Sequence, residues 1–196
     1  MKWMVYDILS FFQVLKIKEA TGLQNFHGTG IVISNHQSFF DGFLVMGHVP
    51  SVPLVKSSYK FNPFFNCVIM FFDFVEIDTT PTGIMKADEK IRRLLKSGQS
   101  VYICPEGTRN SDGKIGKFHS LAFKIAEDLK VPLFPIVIHY DRPILGKSGS
   151  SFIFSQKVDV KIHILESIIP QENQTSVQLL KEAHGIMKTE FEKMSI

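Results

Sequence analysis

Apolar residues in this chain fall in short runs, and the period of those runs changes along the sequence. Within residues 3–17, Trp3, Met4, Val5, Tyr6, Ile8, Leu9, Phe11, Phe12, Val14 and Leu15 cover more than one face of a helix, with Lys2, Lys16 and Lys18 at its ends. Such a helix suits a membrane interface and equally suits packing on a domain. Residues 22–30 begin and end in glycine and read as a turn-rich connection. Ile31, Val32 and Ile33 then make a short apolar run, a buried strand that leads into Ser34, Asn35, His36, Gln37 and Ser38. Residues 39–46 predict the opening of a helix, with Ser38 at its N-cap.

Further on, residues 52–55 predict a short strand, 63–70 a helix and 72–77 another strand. Ile84, Ala87, Ile91, Leu94 and Leu95 recur at helical spacing over 81–96, and Gly98 stops that helix. Residues 100–104 predict a strand leading into Pro105, Glu106, Gly107, Thr108 and Arg109. A helix over 119–129, a strand over 131–139, strands at 152–154 and 158–165, and an amphipathic helix over 174–194 complete the chain. This alternation predicts an α/β fold: a single domain with a central, mostly parallel mixed sheet flanked by helices and an N-terminal amphipathic helix. The two closely spaced strands near the end are where antiparallel pairing is expected. The expected division is a membrane-associating helix over 1–18 and one globular domain over 19–196.

Composition narrows the function class. Of 196 residues, 44% are hydrophobic and 21% charged, which excludes a disordered chain. Phe is over-used at 18 copies, enough to line an alkyl pocket or face a membrane as well as fill a core. A net charge of +3 is too small to indicate nucleic acid and is compatible with an anionic substrate or lipid surface. Cys67 and Cys104 form no metal-spaced pair and read as inert thiols in a reducing, cytoplasmic setting. No stretch reaches the roughly 18 apolar residues of a spanning helix. Residues 1–15 are interrupted by Asp7, Ser10 and Gln13, and 63–77 by Asn66, Asp73 and Glu76. No small-residue cleavage site follows the first segment, so a cleaved signal peptide is not expected.

The candidate chemistry begins with His36 and Asp41. A hydroxyl needs a base to become a nucleophile near neutral pH, and imidazole, with an unperturbed pKa of about 6.5, suits that task. A carboxylate on the other ring nitrogen fixes the tautomer and stabilises the imidazolium. Positions five apart do not face each other in a straight helix. Here, however, His36 falls in the turn before the helix that carries Asp41, and the turn can fold the imidazole back. Alone, such a pair is a weak pattern, better explained by turn and cap residues. The loop 105–109 adds to it. Gly107 allows close backbone approach, Thr108 offers a hydroxyl, and Arg109 offers a planar fork for phosphate oxygens. That loop follows a strand, where ligand loops sit in open α/β sheets. Lys56 closes another predicted strand and can reach the same sheet edge. The remaining histidines (His27, His48, His119, His139, His163, His184) lack comparable local partners and read as structural or solvated. No G-x-S-x-G elbow, paired C-x-x-C or H-E-x-x-H metal site, or glycine-rich phosphate loop is present.

Taken together these residues resemble the glycerolipid acyltransferase family typified by bacterial 1-acyl-glycerol-3-phosphate acyltransferases. Asn35, His36, Gln37 and Ser38 with Asp41 are similar to its first motif, whose His and Asp are the catalytic pair. Residues 105–110 are similar to a motif implicated in acceptor binding, which implies that role for Glu106, Gly107, Thr108 and Arg109. Residues 131–136 resemble the family's apolar strand with two prolines, and Lys56 matches a lysine placed near the acceptor phosphate. One departure stands out: where many members carry an arginine after an Ile-Asp pair, Ile77-Asp78 is followed here by Thr79. Lys60 or Lys86 would have to substitute, or the acceptor differs. The chain is also short for the family, which implies one short N-terminal helix as anchor.

The resemblance implies transfer of a fatty acyl group from acyl-CoA or acyl-carrier protein to the free hydroxyl of 1-acyl-glycerol-3-phosphate, giving phosphatidic acid. It implies no metal and no cofactor beyond the acyl thioester. Direct attack by the hydroxyl is expected, since the sequence places no Ser or Cys nucleophile beside the His–Asp pair. The expected partners are a lysophospholipid, an acyl thioester and a membrane surface, with peripheral association on the cytoplasmic face and no nucleic acid. The rivals are the same chemistry on another lysolipid, a thioesterase in which His36 activates water, and a silent lipid-binding module.

Overall fold

The computed structural model of the chain describes residues 15–61, 73–110, 113–142 and 157–195. Seven strands form one sheet: β1 (Leu15–Thr21), β2 (Ile31–Ser34), β3 (Val52–Lys56), β4 (Val75–Ile77), β5 (Val101–Ile103), β6 (Leu133–Tyr140) and β7 (Val158–Ile164). Among the described residues four α-helices accompany it: α1 (Asp41–His48), α2 (Pro81–Lys96), α3 (Leu121–Leu129) and α4 (Ser176–Met194). The strand order is β1-β7-β6-β2-β5-β3-β4. Pairing is parallel throughout except between β6 and β7. The expected α/β domain with a mostly parallel mixed sheet is the fold observed.

Both faces of the sheet are covered, which is why its central strands read as unbroken apolar runs. Side chains alternate across a strand. Ile31, Ile33, Val101, Ile103, Leu133 and Val137 therefore pack with Ile91 of α2, Phe123 of α3 and Leu179 of α4. Val32, Tyr102, Phe134, Ile136, Ile138 and Tyr140 point the other way, into a cluster with Phe43 and Leu44 of α1. The second face matters for function, because α1 begins with Asp41. Helix α2 spans the predicted residues; Thr80 caps it by accepting a hydrogen bond from the Gly83 backbone.

The N-terminal reading needs correction. Leu15, Lys16, Ile17 and Lys18 are not helical: they begin β1, in parallel register with Val158, Asp159 and Val160. Their burial alternates between half-buried Leu15 and Ile17 and exposed Lys16 and Lys18. That period-2 pattern was hidden because the preceding apolar run absorbed Leu15 into a helical count. The division at 18/19 therefore cuts through a strand of the sheet. The rest of the predicted 3–17 helix, the 63–70 helix and the 152–154 strand lie outside the described residues. Antiparallel pairing is found between β6 and β7, with Ile138 opposite Ile162.

Candidate active site

β2, β3, β4 and β5 run parallel, so the loops after them gather at one edge of the sheet. The turn after β2 carries His36, and it is held in place from three directions. Asn35 behaves as an extra rung of the sheet: its side-chain amide donates to Ile138 O and accepts from Ile138 N, both at 2.8 Å. The His36 backbone N–H donates to Glu106 Oε1 at 2.9 Å, and the His36 carbonyl accepts from Asn110 N at 2.7 Å. Asp41 closes the turn from the helix side. Its Oδ2 accepts from Gln37 N and Ser38 N at 2.8 Å each, and from His36 Nδ1 at 2.9 Å.

The predicted pair is thus brought together, by a turn that folds back onto the first residue of α1. The helix starts two residues later than its pattern suggested. Ser38 does not cap it; its Oγ accepts from Phe40 N at 3.2 Å inside the turn. Asp41 is fully buried, and its Oδ2 accepts two backbone N–H bonds beside the imidazole. Nδ1 of His36 is then the protonated nitrogen, which directs the Nε2 lone pair away from Asp41. The His36 side chain keeps 22% exposure. Burial is the largest single influence on its pKa and lowers it. Charge and hydrogen bonding from Cys104, and likewise from Asp41, outweigh that and push it up to about 11.

Two residues near the pair carried no sequence signal. Tyr140, at the end of β6, donates its phenol proton to Asp41 Oδ1 at 2.5 Å. Cys104, read from sequence as an inert thiol away from any chemistry, interacts with the His36 ring. The expectation that no Ser or Cys stands beside the pair is therefore corrected. Cys104 also belongs to a chain of polar contacts: Ser34 donates to Asn35 O at 2.8 Å and lies 2.8 Å from the Tyr102 hydroxyl, which in turn lies 2.9 Å from the Cys104 sulfur.

Glu106 has both oxygens engaged with backbone, Oε1 with His36 N and Oε2 with Gly116 N at 2.8 Å, and so braces the site. Burial pushes its pKa up, against those two N–H groups, which favour the charge. Gly107 has φ +65°, and a Cβ there would meet the His119 ring at 3.1 Å. The positive φ favours glycine, and any side chain there would have to push the His119 ring back. His119, set aside in the sequence, thus lies against the 105–109 loop. Thr108 is exposed and Arg109 half-buried. Lys56 is the exposed last residue of β3, in register with Ile77 of β4. No contact joins Lys56 to His36 among the described residues. Lys60 forms an ion pair with Glu76 at 2.5 Å, so it is not a free substitute for the absent arginine.

Among the other histidines, His163 is the exception to the structural reading. It stands between Glu190 at 2.8 Å and Glu19 at 3.2 Å, partners from α4 and β1 that no local pattern could reveal. His184 Nε2 donates to Gly116 O at 3.0 Å, and His48 Nδ1 donates to Leu44 O at 2.7 Å.

Fold and site define an α/β domain with a carboxylate-held histidine at the parallel edge of its sheet, beside a glycine-arginine loop. A family model described as "Acyltransferase" matches residues 17–139, and the chain belongs to that family. It is 27% identical over 166 residues to a chloroplastic 1-acyl-sn-glycerol-3-phosphate acyltransferase of Brassica napus, covering 82% of this chain and 47% of that one. It is 29% identical over 175 residues to the human 1-acyl-sn-glycerol-3-phosphate acyltransferase beta, covering 82% and 59%. The chain spans about half the length of the curated relatives it matches. In structure it resembles the 1-acyl-sn-glycerophosphate acyltransferase PlsC of Thermotoga maritima, with a TM-score of 0.77, 22% identity, and coverage of 98% of this chain and 77% of that one. That likeness concerns the fold.

Proposed function

We propose that the protein is an O-acyltransferase that moves a fatty acyl group from an acyl thioester to a lysophospholipid hydroxyl, with 1-acyl-glycerol-3-phosphate as the first acceptor to test. The observation that carries this reading is the His36 Nδ1–Asp41 Oδ2 contact of 2.9 Å at the ligand edge of the sheet. In the reaction, neutral His36 accepts the hydroxyl proton at Nε2 while Asp41 holds Nδ1–H. The hydroxyl oxygen attacks the thioester carbonyl, the tetrahedral intermediate collapses, and the thiolate leaves with the proton that His36 returns. Attack is direct: the acceptor hydroxyl is the nucleophile in this reading, and Cys104 is given no covalent role. No step calls on a metal. The donor is acyl-CoA or acyl-carrier protein.

Arg109 and Lys56, both presented at the same edge, are assigned to the acceptor phosphate, with Gly107 and Thr108 shaping the loop. A different lysolipid acceptor is the second reading. It is favoured by Thr79 in place of the arginine and by the Lys60–Glu76 ion pair, which occupies one of the two candidate substitutes. We place the protein peripherally on the cytoplasmic face of a membrane, where both donors are available. Phe61, 90% exposed just after β3, and Met85, 56% exposed near the start of α2, support that, since both follow strand ends on the site edge. Among the described residues no helix is long and apolar enough to cross a membrane.

The deciding experiment is acyl transfer to lysophosphatidate in detergent micelles, wild type beside His36→Ala, with folding of both checked. The variant should lose about 10²- to 10⁴-fold in rate. Retained turnover in His36→Ala would remove His36 as the base. Fatty acid released without any acceptor would favour the thioesterase instead.

A further inference from the structure

Tyr140 stands one residue beyond the segment matched by the family model. Its placement follows from the sheet. β6 pairs with β2 in register up to Ile136 opposite Ser34, where β2 ends. Asn35 continues that pairing to Ile138 through its side chain. Two residues further, Tyr140 is level with the turn holding His36, on the face shared with Phe134, Ile136 and Ile138. That face looks toward α1, so the phenol meets the helix at its first residue. The Tyr140–Asp41 bond of 2.5 Å spans 99 positions of sequence. Tyr140 is 8% exposed and Asp41 0%.

We propose that Tyr140 is a positioning residue for acyl transfer, acting on His36 through Asp41. This rests on the reading of His36 as the base. Two effects follow from the geometry. First, the bond occupies Oδ1, so the carboxylate cannot rotate and Oδ2 stays on Nδ1 of His36. Second, a phenol proton on Oδ1 draws negative charge from Oδ2 and weakens its hold on the imidazolium proton. His36 is thereby kept less basic than it would be beside a carboxylate with that oxygen bare. Burial, with Asp41 nearby, pushes the Tyr140 pKa well above its usual range, so the phenol remains a donor. The other groups facing this pair are Ser38 in the turn, Tyr102 on β5, Cys104 after β5, and Glu106 in the loop beyond. Tyr102 and Cys104 are bonded to each other, and Glu106 is bonded to backbone. Among the described residues, Tyr140 is therefore the side chain that sets the free oxygen of Asp41.

The test compares full-length wild type, Tyr140→Phe, Asp41→Asn and the double variant. It reads kcat and KM across pH, and it follows the His36 imidazole by NMR titration, which needs no turnover. Tyr140→Phe should lower kcat by about tenfold while both KM values stay within about twofold, as expected for loss of one bond that orients the base. Its acid limb and the His36 titration should both move to higher pH. In the Asp41→Asn background the same change should cost little more, because residues that act through one another are non-additive. An unmoved titration with unchanged kcat overturns the proposal. So does a loss fully additive with that of Asp41→Asn, which would mean simple packing. If wild type transfers no acyl group at all, the base reading fails. The titration alone then decides Tyr140, and identical His36 curves in wild type and Tyr140→Phe reject it.

Discussion

His36 departs far from its ordinary chemistry here. Burial disfavours its charge, but Cys104 and Asp41 together push its pKa up to about 11 from 6.5. A general base works only when unprotonated, so kcat/KM should climb with pH along a limb placed well above neutrality. Since Cys104 raises the value, Cys104→Ala should bring that limb to lower pH; a pH–rate profile of the two proteins reads this directly. A limb that stays put or moves upward would show that Cys104 does not hold the proton on His36. Stability has the same sign. The folded value lies above the unfolded one, so the stabilisation from pairing is full below about pH 6.5 and is lost as pH rises through about 11. At this scale the sequence offered His36 and Asp41, which are five positions apart and joined by a local turn. It offered nothing for Tyr140 or Cys104, whose partners lie 99 and 68 positions away from them in the chain.

Elements supply the precision that residues alone lack. β2 and β6 are joined past the end of β2 by the Asn35 side chain, which satisfies both peptide groups of Ile138. Asn35→Ala leaves a buried donor and a buried acceptor unpaired. It should cost about 2–4 kcal/mol of unfolding free energy, measured by urea titration. A cost near zero would mean that water replaces the amide and that the turn is not fixed this way. The loop after β5 is anchored comparably: Glu106 holds His36 N and Gly116 N, and Asn110 N holds His36 O. A ligand role for Glu106 was read from its motif. The structure adds a bracing role, since an acidic side chain 6% exposed needs the N–H groups that meet it. Helical elements with a clear 3.6-residue period, above all α2, were legible. β1 was not, since its short Leu-Lys-Ile-Lys alternation adjoins a longer apolar run and only β7 gives it a partner.

For the molecule as a whole, the sheet determines where any membrane contact can be cut away. β1 begins at Leu15 and pairs with β7, and Lys18 is paired with Asp159 at 2.7 Å. Removing residues 1–17 would damage the sheet, whereas removing 1–14 leaves β1 whole. The shorter deletion should release the protein from liposomes while leaving its thermal unfolding nearly unchanged. Undiminished binding by the folded truncation would transfer the membrane contact to the edge bearing Phe61 and Met85.

Apolar periodicity and turn residues are local, so the sequence by itself determined the α/β class, the order of most helices and strands, and the His36–Asp41 pair. The matching motifs also placed the chain in its family. What only the tertiary structure decided are relations between distant segments. These are the parallel addition of β1 beside β7, the phenol of Tyr140 on Asp41, the thiol of Cys104 at His36, and the bracing of the His36 backbone by Glu106. Each depends on which strands become neighbours and in what register, and register is set by packing both sheet faces at once, which no single stretch of sequence encodes.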